Sequence, residues 1–186
     1  MAGLNYQQLH IFLSNTHAAV NYVILADNVV VKNGTIDANT PFDVITAHFN
    51  TTPEEITISF EGKDSPNILG LSLEGNTGVV ADNIALRGSS GTVFSQLDHT
   101  MLSNMYANLN PDLIILEFGG NVMPYIKDEK GAKEYGNWFK AQISFLKRLN
   151  PNAAFIVIGP GDMSIKEKTE YVTYPNLEDV RDALRN

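Results

Sequence analysis

The chain has 186 residues, 44% hydrophobic and 18% charged, a globular balance that suits one large domain or two small ones. Its formal net charge of -8 argues against nucleic acid and anionic membrane as partners, because both need Lys/Arg clusters and the densest basic spot, Lys147-Arg148, reads as an ordinary helix C-terminus. Without cysteine there are no disulfides or thiolate metal sites, and no stretch approaches the roughly 20 apolar residues of a membrane span.

The opening "MAGLNYQQLHIFLSNTHAAV" has no basic start followed by an apolar core, so it does not read as a signal peptide. The stretch to about Gly75 has strand texture. "NYVILADNVVV" is β-branched and apolar and runs into a turn at "KNG"; "FDVITAHF" and "EEITISFEG" alternate or nearly so, with turn chemistry in "TTPEE" and "GKDSPN". Close-spaced strands without helical period predict a β-rich, sandwich-like module over 1–75. Lys32 and Lys63 are the only basic residues before Gly75, so this module carries most of the acidic excess.

The texture then changes to alternation. "VVADNIAL" reads as a short strand. "VFSQLDHTMLSNMYANL" places Phe94, Leu97, Met101, Leu102 and Met105 near helical spacing. The strand "DLIILEF" follows, then "AKEYGNWFKAQISFLKRL" with Phe139, Ile143 and Leu146 on one face. "AFIVIGP" is the next strand and "NLEDVRDALRN" the last helix. Strand–helix repetition predicts parallel pairing through right-handed crossovers, and continuous apolar strands predict helices on both faces, so residues 76–186 read as an α/β domain. "LNP" occurs at Leu109–Pro111 and again at Leu149–Pro151 as a helix stop, Asn accepting the left-handed conformation and Pro forbidding continuation.

Ligands in open parallel sheets bind beyond the carboxyl ends of the strands. Three such ends are rich in small residues: "LRGSSG" (86–91), "GGN" (119–121) and "GPGDMS" (159–164). A phosphate site is disfavoured, because neither GxxxxGK[ST] nor GxGxxG is present and no Lys or Arg follows the turn. "GSSG" suits a turn with a serine cap equally well. An oxyanion hole needs fixed donors where charge develops on a carbonyl oxygen, and the Gly88 N–H with the Asn121 amide would supply two if their strands are neighbours. Ser89 and Ser90 read as caps or loop residues and His99 as a surface histidine, while Trp138 and Phe139 read as core. "KDEKGAKE" (127–134) reads as a solvated approach to a helix and Asp162 as an exposed loop carboxylate.

"DNIALRGSSG", "LEFGGN" and "IGPGD" together resemble consecutive blocks of the SGNH (GDSL-type) ester hydrolases, over roughly residues 76–165. The resemblance implies a flavodoxin-like, parallel three-layer domain. Asn83 and Gly88 match the family's N-x-x-x-x-G block, Gly88 being an oxyanion donor. Gly119, Gly120 and Asn121 match its G-x-N-D block, Asn121 being a further donor. Val122 stands where that block has Asp. No Gly-Asp-Ser nucleophile block occurs, and the four histidines, His10, His17, His48 and His99, all precede Asn121, so no Asp-x-x-His block comes after it. The α/β layer is therefore expected to be incomplete. That pattern matches an internal piece of the bacterial members that carry a β-sandwich between the nucleophile and glycine blocks.

The resemblance implies an acyl ester substrate, such as the O-acetyl groups of a polysaccharide or peptidoglycan, a periplasmic or secreted location, and no metal or cofactor. The 186 residues by themselves are expected to be inactive. The alternative is a non-catalytic carbohydrate-binding protein with a degenerate hydrolase-like layer. Oligomeric state is not legible.

Overall fold

The computed structural model describes residues 5–186, which divide into two compact units, the division falling between Asn83 and Ile84.

Among the described residues the first unit has six antiparallel strands: β1 (Gln8–Ser14), β2 (Val20–Ala26), β3 (Val29–Ile36), β4 (Phe42–His48), β5 (Ile56–Gly62) and β6 (Asn67–Glu74). They form two three-stranded sheets, β4-β1-β6 and β3-β2-β5. Alternation puts Leu9, Ile11 and Leu13 of β1 on one inner face and Tyr22 and Ile24 of β2 on the other, and these close a common core with Ile36, Ile45 and Phe49. The β-rich expectation holds here, with one correction. The turn lies not at "KNG" but at Asp27-Asn28, whose φ values of 48° and 65° suit the two-residue turn that joins β2 to β3, with Ala26 opposite Val29. Lys32, Asn33 and Gly34 continue β3, where the Tyr22 ring lies over Gly34 so closely that a Cβ would stand 2.7 Å from its hydroxyl.

The second unit contains α1 (His99–Leu109), β7 (Leu113–Glu117), α2 (Glu129–Leu149), β8 (Ala154–Ile158), a hairpin of β9 (Ser164–Glu167) and β10 (Glu170–Thr173), and α3 (Leu177–Arg185). Strands β7 and β8 pair in parallel, Leu113 opposite Ala154 and Glu117 opposite Ile158, with α2 as the crossover. Asp98 and Asp128 cap α1 and α2 by accepting from Met101 N (2.8 Å) and Gly131 N (2.8 Å). Leu116, Phe139, Leu146 and Val180 belong to the core. Two short 3-10 turns, Phe94–Gln96 and Met123–Tyr125, lie before α1 and after β7.

Five expectations are corrected. Residues 79–86 form no strand, and Val79 (95% exposed) and Ile84 (69%) lack the cover that a buried strand receives. Among the described residues, helices cover one face of the β7–β8 pair only: Ile114, Leu116, Phe155 and Val157 join the core, while Leu113, Ile115, Ile156 and Ile158 are exposed. Trp138 points outward, half-exposed, whereas its neighbour Phe139 is buried, as the 100° step along a helix requires. Residues 129–134 belong to α2 itself. The first "LNP" stop works as expected, Asn110 having φ 42°, but Asn150 has φ -131° and caps by donating Nδ2–H to Leu146 O at 3.1 Å.

Candidate active site

Strand β7 runs on into Phe118, Gly119, Gly120 and Asn121, and Gly119 has a geometric reason. Gly119 has φ +112°, and a Cβ there would stand 2.7 Å from Pro160 Cδ, so the two strand-end loops meet closer than any side chain permits. Gly120 lies against Met163, its Cβ position 3.8 Å from that sulfur. The chain then enters the 3-10 turn, where buried Met123 anchors it and leaves Asn121 exposed.

Residues 86–89 make a tight turn closed by Ser89 N donating to Leu86 O at 3.1 Å. Gly88 occupies its third position with φ +77°, as a type II turn requires, and its own N–H takes no part in the closing bond. Two side chains hold the backbone at Ser89 and Ser90. Asn121 donates Nδ2–H to Ser89 O at 3.1 Å, and the Tyr135 hydroxyl donates to Ser90 O at 2.8 Å. Ser89 Oγ accepts from Gly91 N (3.1 Å) and Ser90 Oγ shares a hydrogen bond with Thr92 Oγ1 (3.2 Å). The structure thus brings the Asn121 amide to the residue after Gly88, with one of its two N–H groups committed to Ser89 and the other left over.

The remaining named residues fall outside this arrangement. His99 is exposed, its Nε2 3.1 Å from Ser95 O and its ring 4.7 Å from that of Phe145. Asp162 is held by Arg181 at 2.8 Å, and Arg181 also donates to Pro160 O (3.1 Å), tying the loop after β8 to α3. Asn83 is exposed, outside any strand. Among the described residues no cluster of His, Asp and Glu has the makings of a metal site, and no helix is long and apolar enough to cross a membrane.

Sequence reasoning missed Tyr135 and Gln142. Burial raises the Tyr135 hydroxyl from its ordinary 10.0 to about 12, which keeps it a neutral donor to Ser90. Gln142 is buried and accepts from Ser95 N (2.9 Å) while donating to Ser95 Oγ (2.9 Å). Both lie on the helical face of Phe139 and Leu146, Tyr135 one turn before Phe139 and Gln142 one turn before Leu146, so that periodicity reaches them.

No family model matches the chain, and no curated protein does. Among solved structures it is similar to a family two carbohydrate esterase from Cellvibrio japonicus, at 14% identity, TM-score 0.31, 97% of this chain and 72% of that one. It is similar too to the family two carbohydrate esterase from Clostridium thermocellum solved with cellohexaose, at 11% identity, TM-score 0.31, 97% and 74% coverage. A third is Est2A, an acetyl xylan esterase from the rumen bacterium Butyrivibrio proteoclasticus, at 8% identity, TM-score 0.32, 97% and 75% coverage. Likeness at this level assigns no activity.

Proposed function

We propose that the second unit supplies the oxyanion-stabilising part of an SGNH-type serine ester hydrolase acting on acyl esters of carbohydrate. The observation that carries the reading is the Asn121 Nδ2–Ser89 O hydrogen bond, which joins the loop after β7 to the turn of Gly88. The Gly88 N–H and the free Asn121 N–H would donate to a carbonyl oxygen as it gains charge. They act as fixed dipoles, and removing one such donor costs on the order of 10²–10³ in rate. The reading needs a serine and a histidine from outside these 186 residues, because neither matching block occurs within them. It places the protein where such polysaccharides lie, in the periplasm or outside the cell.

The test is an amide-resolved NMR titration with methylphosphonate, a tetrahedral oxyanion. The Gly88 backbone and Asn121 side-chain resonances should shift together with one Kd, and Asn121→Ala should abolish the Gly88 shift. Shifts confined to other residues would refute the reading. The same chain should turn over p-nitrophenyl acetate near background and gain no mass from an organophosphonate, since Ser89 and Ser90 have no adjacent base.

A further inference from the structure

We infer that Tyr125 and Tyr171 form the stacking platform on which a pyranose ring of the substrate rests beside Asn121; the inference builds on the carbohydrate ester reading above and names the residues that hold the sugar. Because β7 and β8 run in parallel, the segments after Glu117 and Ile158 leave the sheet at one end. Each carries an exposed tyrosine. Tyr125, 77% exposed, closes the 3-10 turn four positions past Asn121, and Tyr171, 74% exposed, lies on β10 of the hairpin.

The two segments are stitched together. Met163, at the foot of the hairpin, lies against Gly120, and its carbonyl accepts from Tyr174 N at 2.9 Å, closing the hairpin base. Asn176, just past the hairpin, donates Nδ2–H to Ile126 O at 3.3 Å, next to Tyr125. Both aromatic carriers are thereby anchored around the strand end that holds Asn121. The pairing of Tyr171 with Lys166 and of Thr173 with Ser164 gives the hairpin one face of tyrosine flanked by hydroxyl and ammonium groups, while Val172 turns the other way and is half-buried. An apolar ring face bordered by donors is what the two sides of a pyranose require: C–H groups over the ring and hydroxyls at its rim. The third exposed aromatic of this unit, Trp138, projects from the middle of α2 and serves as the control.

The experiment is calorimetric titration of the chain with cellohexaose, with amide-resolved NMR to locate the sugar. The expected result is binding that shifts residues 123–126 and 164–173. Tyr125→Ala and Tyr171→Ala should each weaken it about tenfold, as the loss of one ring's contact implies. Tyr125→Phe and Tyr171→Phe keep the ring and should bind within about threefold of the parent, and Trp138→Ala should bind as the parent does. No measurable binding, binding unchanged in both alanine variants, or shifts confined to β1–β6 would overturn the inference. Unesterified cellohexaose carries no acyl group, so its binding reads the platform alone and methylphosphonate reads the donors alone. Sugar binding through both tyrosines, with no phosphonate shift at Gly88, would refute the ester hydrolase reading and leave the platform standing.

Discussion

Replacing Gly119 by Ala puts a number on the close approach of the two strand-end loops. At φ +112° an alanine backbone is strained by about 1–3 kcal/mol. Its methyl would also stand 2.7 Å from Pro160 Cδ, a ring atom of a loop that Arg181 holds in place, and such overpacking adds roughly 1–3 kcal/mol. Stiffening the unfolded chain returns only about 0.4–1 kcal/mol. The net expectation is a loss of about 1–5 kcal/mol. Gly88→Ala is the internal comparison. It has φ +77° but nothing within 4 Å of its Cβ position, so only the backbone term of about 1–2 kcal/mol applies, and the same unfolded-state gain offsets much of it. The assay is urea unfolding monitored by the fluorescence of Trp138, the only tryptophan, which reports the second unit by itself. The midpoint should drop for Gly119→Ala at unchanged slope and barely move for Gly88→Ala. Equal midpoints for the two variants would refute the contact with Pro160 as the reason for glycine at 119.

Tyr135 makes stability fall at high pH. Its folded value of about 12 lies above its unfolded value near 10.0, so the stabilisation is complete below pH 10 and is lost as pH rises toward 12. Tyr135→Phe should abolish this alkaline loss in Trp138-detected unfolding, cost about 1 kcal/mol at neutral pH through the missing bond to Ser90, and speed amide exchange in residues 89–91. Ser95→Ala leaves the buried Gln142 Nε2 without its acceptor and should cost about 1–3 kcal/mol, where an exposed serine without such a partner would cost almost nothing; urea midpoints decide it. In the β-sandwich, Asn28→Gly should be neutral or stabilise by a few tenths of a kcal/mol, whereas Asn28→Val should destabilise by about 1–2 kcal/mol, because φ 65° suits Gly and Asn but not a β-branched residue. Far-UV circular dichroism melts of the two variants check the order.

The local rules were legible in the chain. Near-alternation of apolar residues along β4 and β5 and the β-branched run of β2 read as strands, and the helical period through Phe139, Ile143 and Leu146 reads as the buried face of α2. The small-residue ends of β7 and β8 marked where a ligand could approach the backbone.

What needed the fold was every choice between two local options of similar energy. "DN" and "KNG" are both good turns; β2 and β3 chose the first because that register brings Tyr22 over Gly34 and keeps Ile24 and Ile36 in the core. "VVADNIAL" has strand propensity, but a strand needs a pairing partner and a buried face, and in this structure residues 79–86 pair with no strand and leave Val79 and Ile84 exposed. The placement of Asn121 against Ser89 depends on residues 32 apart in the chain, and that of Tyr135 on residues 45 apart. Such contacts form only when the segment of Ser89 and Ser90, which precedes α1, packs against the loop after β7 and against α2, and local spacing carries no record of that packing.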